Sequence, residues 1–192
     1  LNMGGGMHHA YHAHAEGFCV VNDVVISSRW LLDQQHAQKI AIVDLDVHQG
    51  NGTAALLQDE PNVLTISVHG VNNYPFIKEK SDLDVALPDH TGDDEYLQVV
   101  DEAVLMALTQ FEPDVVFYLA GADVLAGDQL GRLAMTPAGV EARDRRIFEW
   151  AATRRLPLVM LLAGGYNQDP HKLSAVRLNT IRAALECFSG AK

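Results

Sequence analysis

A set of short, nearly continuous apolar runs, each followed by a polar motif, constrains the fold of this chain most. Residues 39–44, 63–68, 114–120 and 158–163 have the length of strands and little polar alternation. Such runs are expected where both faces of a strand are covered, as in a parallel sheet between helices. The shorter stretch Leu83–Leu87 reads as an edge strand. Between the runs, Tyr96, Val99, Val100, Ala103, Val104, Ala107 and Leu108 form a stripe at helical spacing and predict a helix over 93–111. Thr91 or Gly92 can cap it, and Asp93, Asp94 and Glu95 suit the positive end of its dipole. Thr136-Pro137, a cap followed by Pro at the first helical position, starts another helix that runs to about Thr153. Residues 22–35 and 171–188 also read as helices. The alternation predicts a three-layer α/β/α fold with a mainly parallel sheet. With no internal repeat or linker, the 192 residues read as one domain.

Ligands in open α/β sheets sit beyond the carboxyl ends of the strands. Asp44, Asp46 and His48 close the first run, and Ser67, Val68 and His69 the second. Gly121-Ala122-Asp123 closes the third, and Gly164-Gly165-Tyr166 the last. Alternate residues of an extended segment share a face, so Asp44, Asp46 and His48 point one way, with Leu45 and Val47 opposite. Two carboxylates on one face repel unless a cation or a donor compensates. A plain alternative, one Asp capping the next helix and an incidental His, leaves the second carboxylate without a purpose. Asp123 alone reads equally well as a loop acid. Added to Asp46 and His48, it completes three protein ligands with an open position, the arrangement of catalytic zinc. Two oxygens and one nitrogen make the set hard enough for iron(II) as well.

His8-His9 after Gly4-Gly5-Gly6 reads either as a flexible end or tag remnant, or as paired imidazoles on a turn that the glycines provide; a tag would carry a longer unbroken His run. Tyr166 offers a phenol where negative charge develops in a transition state, or is an interfacial aromatic after a turn. Gly17-Phe18 reads either as the wall of an apolar slot or as core. His12 and His14 read as loop residues. The net charge of −11 argues against non-specific nucleic-acid binding and is compatible with a lysine-rich peptide or polyamine substrate. A solubilising acidic surface explains that charge equally simply. No apolar run is long enough to span a bilayer. Cys19 and Cys187 make no disulfide framework, which points to a reducing intracellular compartment, cytoplasm or nucleus.

Several motifs stand together in a fixed order. They are Gly-Phe-Cys at 17–19, Asn22-Asp23, Asp-Leu-Asp-Val-His-Gln-Gly-Asn-Gly at 44–52, Gly-Ala-Asp at 121–123, Ala-Gly-Asp at 126–128, Thr-Pro-Ala-Gly at 136–139 and Gly-Gly-Tyr at 164–166. The set resembles the zinc-dependent histone deacetylase family of the arginase/deacetylase fold. Gln49, Asn51 and the run Asp128-Gln129-Leu130-Gly131 are most similar to its class IV branch. The resemblance implies one zinc ion on Asp46, His48 and Asp123, with His9 as general base and acid and His8 as its neighbour. It implies that Asp44 orients His8, that Asn51 partners His9, and that Tyr166 polarises the acyl carbonyl. Gly17, Phe18, Tyr74 and Leu130 would line an acyl-lysine channel. A structural potassium ion would draw on Asp44, Asp46, His48, Ser67 and Val68. Arginases carry further aspartates for a second metal, and these are not found here.

The implied substrate is an acyl-lysine peptide, with acetylpolyamines or other small amides as the alternative. A third reading is a catalytically weak fragment that binds a metal or a partner through an exposed sheet edge. The chain opens on Leu1 rather than Met, directly before the glycine motif. The family's N-terminal portion, including a strand beside 39–44, is therefore expected to precede it and to pack against it. Without that strand, 39–44 is expected to have an open edge.

Overall fold

The computed structural model describes residues 4–189. Its sheet contains β1 Ile40–Asp44, β2 Val63–Gly70, β3 Leu83–Leu87, β4 Val115–Leu119 and β5 Leu158–Leu161. The strands run in the order β3-β2-β1-β4-β5 and every pairing is parallel. Each predicted strand forms within a few residues of its expected bounds, and β3 is an edge strand.

The expectation of an open edge beside 39–44 is wrong. β1 is central: Ile42 stands in register with Thr65 of β2 on one side and Phe117 of β4 on the other. Both rows of its backbone groups have neighbours, so a further strand has no place beside it. Among the described residues the outer strands of the sheet are β3 and β5.

The helices are α1 Asp23–Asp33, α2 Asn51–Leu57, α3 Asp93–Val99, α4 Leu105–Phe111, α5 Pro137–Thr153 and α6 Pro170–Ser189. Strand alternation divides the core into two layers. Ile40 and Ile42 of β1, with Phe117 and Leu119 of β4, meet Val24 and Val25 of α1 and Leu57 of α2. Ala41, Val43, Val116 and Tyr118 face the other way, against Tyr96, Leu108, Ile147, Phe148 and Val176 of α3 to α6. Burying each large apolar side chain contributes about 1.5–3 kcal/mol, so both faces hold the sheet. Among the described residues no helix is long and apolar enough to cross a membrane.

The predicted helix over 93–111 is continuous but contains a wider π turn at Val100–Val104, between α3 and α4. Tyr96, Val100, Val104 and Leu108 are all fully buried and spaced by four. Four residues overshoot one 3.6-residue α-helical turn, so such a row drifts off the core face. A turn bonded i→i+5 takes up that drift. The helix α2 had no counterpart among the predicted helices. It has seven residues, opens Asn51-Gly52-Thr53, and shows no apolar period.

Candidate metal centre and active site

β1 delivers Asp44 at its carboxyl end, and the next four residues turn across the rim of the sheet. The Asp46 N–H donates to Asp44 Oδ1 at 3.1 Å, and the His48 N–H to Asp46 Oδ1 at 3.0 Å. Gly70 N–H at the end of β2 donates to Val47 O at 2.9 Å, and Val47 N–H donates to Asp123 Oδ1 at 2.9 Å. Three strand ends are thereby tied to one loop. Ligand atoms of Asp46, His48 and Asp123 all lie within 4.8 Å of one another, and all three residues are buried.

This cluster is electrostatically incomplete. His48 Nδ1 lies 3.0 Å from Asp46 Oδ1 and 3.2 Å from Asp123 Oδ2. Asp123 Oδ2 is buried and accepts no hydrogen bond among the described residues. Burial and then the neighbouring Asp46 charge push the Asp123 carboxyl up to about 7. Burial also opposes ionisation of Asp46, but the His48 hydrogen bond and the nearby imidazole charges hold its carboxyl well below the usual range. Burial disfavours a charged His48, yet its two carboxylate neighbours override this and push it up to about 10. Two buried carboxylates thus share one imidazole, an arrangement that calls for a cation.

Gly164 leaves room for that cation. Its N–H donates to Asp46 Oδ2 at 2.7 Å. A Cβ there would stand 2.0 Å from Asp123 Oδ2 and 2.5 Å from Asp46 Oδ2. Any side chain would fill the cradle. Two carboxylates and one imidazole nitrogen fit zinc or another divalent ion with an open position.

The imidazole pair comes from the loop before α1. Asp23, in the first turn of α1, accepts from Gly6 N–H and Met7 N–H, the latter at 2.9 Å. Thr53 N–H in α2 donates to His8 O at 3.0 Å. His8 Nδ1 meets Asp44 Oδ2 at 2.6 Å, and His9 Nδ1 meets Asn51 Oδ1 at 2.7 Å. Burial opposes a charged His8, but Asp44 overrides it and raises His8 to about 9. Burial favours a neutral Asp44, so the pair shares one proton. We place it on His8, because Asp44 also accepts from the Asp46 N–H. Burial and then the His8 charge lower His9 to about 3, which leaves it neutral. The His48 ring centroid lies 6.0 Å from that of His9 and 6.3 Å from that of Tyr166. Burial keeps the Tyr166 phenol protonated.

Gly17, Phe18, Tyr74 and Leu130 line one cavity of about 500 Å³, together with Phe76 and Arg132, and it reaches His9, His48 and Tyr166. Phe18 is 82% exposed at the rim, so the core alternative for it does not hold. Ser67 pairs in register with Asp44, and its Oγ lies 3.0 Å from His69 Nδ1. The Val68 side chain is in the core, which leaves only its backbone for any ion beside β1. His12 and His14 are exposed on the loop, as expected.

Some supporting residues carried no assigned role in the sequence. Asp128 accepts from Tyr166 N–H at 2.6 Å through Oδ2, and from Leu130 N–H and Gly131 N–H through Oδ1. It joins two walls of the cavity, and its Asp-x-x-Gly setting was a readable turn signal. Arg177 of α6 donates to Leu162 O, Ala163 O and Gly164 O and so holds the glycine turn before Tyr166. Arg143 of α5, fully buried, donates from Nη1 to Leu45 O at 3.0 Å and Gly121 O at 2.9 Å. It braces both ligand loops from beneath. No sequence signal separates it from an ordinary helix-surface arginine.

A family model described as the histone deacetylase domain matches residues 1–182. An uncharacterized protein of Picosynechococcus sp. is 44% identical over 172 residues, covering 90% of this chain and 57% of that protein. Histone deacetylase 2 of Arabidopsis thaliana is 36% identical over 178 residues, covering 91% of this chain and 46% of its own length. Among solved structures, an acetylpolyamine aminohydrolase of Burkholderia pseudomallei superimposes with a TM-score of 0.76 at 26% identity. That match covers 96% of this chain and 54% of the other. The chain therefore spans about half the length of these relatives. With the family model matching nearly its whole length, the chain belongs to the histone deacetylase domain family.

Proposed function

We propose that these residues carry a metal-dependent amide hydrolase site that removes acyl groups from lysine side chains of proteins. The observation that carries this reading is the buried, donorless Asp123 Oδ2 beside Asp46 and His48, at a cavity shared with neutral His9 and protonated Tyr166. Asp46, His48 and Asp123 would hold zinc, with iron(II) as the alternative. Asp44 and the backbone around Ser67 and Val68 would serve a structural potassium ion. When bound, the divalent ion supplies Lewis acidity toward the acyl carbonyl and the attacking water.

The chain's own groups do the rest. His9, neutral and hydrogen-bonded through Nδ1 to Asn51, presents Nε2 as the base that takes the water's proton. As the water oxygen bonds to the carbonyl carbon, the Tyr166 hydroxyl donates to the oxygen that gains charge. The carbon–nitrogen bond then breaks, and His9 returns the proton to the leaving amine. Charged His8, anchored on Asp44, keeps His9 neutral before substrate arrives.

The cavity also speaks to the substrate. Among the described residues no aspartate, glutamate or lysine lines it, and Arg132 is its one lining arginine. The distal ammonium groups of a polyamine find no counter-charge there. Phe18 and Leu130 offer apolar lining for the stem of an acyl-lysine. This favours a peptide substrate over the acetylpolyamine reading, despite the structural likeness to an acetylpolyamine aminohydrolase. The test is elemental analysis of the protein together with kcat/KM on an acetyl-lysine peptide and on acetylspermidine. One divalent ion and preference for the peptide are expected. A metal-loaded protein that hydrolyses neither amide would overturn the reading.

A further inference from the structure

His9 depends on a residue that itself has two possible orientations. An Asp beside an imidazole can only accept, so it fixes the ring's tautomer without help. The Asn at this position, Asn51, is different: its amide presents oxygen on one side and NH2 on the other. With Oδ1 toward His9, Nδ1 carries the proton and Nε2 is the free base. With the amide turned over, NH2 donates to Nδ1, the proton moves to Nε2, and the base is lost. In a neutral ring the tautomer follows the group that meets Nδ1, and for His9 that group is the Asn51 amide at 2.7 Å.

Something must therefore select the amide orientation. Asn51 Nδ2 donates to Glu16 Oε1 at 3.1 Å. Glu16 also accepts from the Tyr74 hydroxyl and, at 3.2 Å, from His14 Nε2. Those hydrogen bonds, Tyr74 foremost, hold its carboxyl below the usual range, so at neutral pH it is an acceptor only. A turned amide would set Asn51 Oδ1 against this carboxylate, acceptor against acceptor. Glu16 is placed by backbone rather than by its own side chain. Glu16 and Cys19 exchange N–H···O bonds of 3.0 and 2.7 Å across a two-residue hairpin. Gly17 and Phe18 at its tip have φ of +52° and +66°, as a type I′ turn requires. The same hairpin lays Gly17 against the His9 ring, where a Cβ would stand 2.2 Å from Cδ2. His9 is thus enclosed on one side by Gly17 and oriented on the other through Asn51.

We propose that Glu16 is a positioning residue for His9. By accepting from Asn51 Nδ2 it fixes the amide so that Oδ1 faces Nδ1 of His9 and Nε2 stays unprotonated toward the cavity. This rests on the hydrolase reading above for its catalytic consequence, but not for its structural one.

The test compares Glu16→Ala in two backgrounds. Against Asn51 it should lower kcat on the acetyl-lysine peptide roughly tenfold, part of the about 10²–10⁴-fold that a positioned base supplies. In the Asn51→Asp background both side-chain oxygens accept, and one of them faces Glu16 acceptor against acceptor, so Glu16→Ala should not lower kcat. An equal loss in both backgrounds would mean that Glu16 acts only by holding Tyr74 and the hairpin, and would overturn the proposal. Nitrogen-15 NMR of the His9 ring needs no substrate. It should show a single Nδ1–H tautomer in the parent chain and a mixture in Glu16→Ala. An unchanged tautomer would also overturn the proposal. If the parent chain hydrolyses nothing, the hydrolase reading fails while the NMR result still decides the role of Glu16.

Discussion

Two groups of ionisable side chains are buried on either side of the same loops, and they meet the cost of burial in opposite ways. In the first, Asp144 Oδ1 accepts from Arg143 Nε at 2.9 Å and from the Tyr118 hydroxyl, and Oδ2 accepts from Thr180 Oγ1. Arg143 Nη2 lies 2.8 Å from the same carboxylate. One cation meets one anion, and both carboxylate oxygens have donors. In the second, Asp46 and Asp123 share His48, and among the described residues Asp123 Oδ2 accepts no hydrogen bond. Buried charge is tolerated when paired and hydrogen-bonded, and is otherwise strongly unfavourable. Charge balance within the chain, one cation to one anion, marks the first group as scaffold, even though Arg143 Nη2 makes no hydrogen bond among the described residues. The deficit in the second marks it as a place built for something the chain does not itself contain. Arg143 connects the two, since its Nη1 carries the carbonyls that precede Asp46 and Ala122.

The sharpest way to break this contrast is Asp123→Ala. Bound metal should fall to background, and hydrolysis should drop by more than the roughly 10²–10³-fold that one oxyanion donor is worth. The metal-free protein should lose no more than about 1–3 kcal/mol, the cost of leaving the Val47 N–H without its acceptor, because the other carboxylate oxygen was poorly satisfied. Elemental analysis, a peptide assay and thermal melts in chelator read these together. A large loss of metal-free stability would place Asp123 with the scaffold instead.

Arg143→Met is the mirror experiment. It leaves Asp144 charged and unpaired and should cost about 3–5 kcal/mol of stability. The Leu45 and Gly121 carbonyls lose their donor at the same time. Metal affinity should weaken about 10–100-fold, as for other residues that hold ligands in place. Adding Asp144→Leu removes the orphaned charge. The double variant should regain stability without regaining metal affinity, which separates the two duties of Arg143. Denaturant unfolding and metal competition would measure them.

The same contrast explains what was legible in the sequence. The ligand set was readable because its residues sit at fixed offsets from apolar runs: Asp44, Asp46 and His48 after β1, Asp123 after β4, Tyr166 after β5. Strand ends of a parallel sheet converge, so sequence spacing maps onto space. The strand order was not readable. Nothing in Ile40–Asp44 states that it takes both β2 and β4 as neighbours, and expecting an open edge there was an error. The scaffold cluster was equally hidden. Arg143 and Asp144 are adjacent in a helix, and their partners Tyr118 and Thr180 lie 26 and 36 residues away along the chain. Such pairs carry no local pattern, and a charged helix residue is ordinarily solvated. Glu16 escaped for a related reason: its role appears only once Asn51 and Tyr74 are beside it.

Tyr166→Phe tests the chemistry of the incomplete cluster without changing its charge. The phenol's backbone is fixed by Asp128 and its turn by Arg177, so removing the hydroxyl should leave fold and metal intact. The expected loss is about 10²–10³-fold in kcat. A variant with normal kcat and normal metal content would remove Tyr166 from the mechanism.

Thr180→Val is the smallest perturbation and the finest test of the division. The side chain keeps its shape, and only the hydroxyl that donates to Asp144 Oδ2 is lost. That oxygen is fully buried, so the cost should be about 1–3 kcal/mol, the range for leaving one buried group unsatisfied. Asp144 then resembles Asp123, a buried carboxylate short of one donor. It differs in keeping the Arg143 charge, so it should neither collect a metal nor disturb one. Metal affinity and kcat should match the parent within twofold or so, since Arg143 still grips both ligand loops. If instead the metal weakens as much as in Arg143→Met, strain passes freely from scaffold to site. The two clusters would then be one cooperative unit, and the deficit at Asp123 could not be read as local.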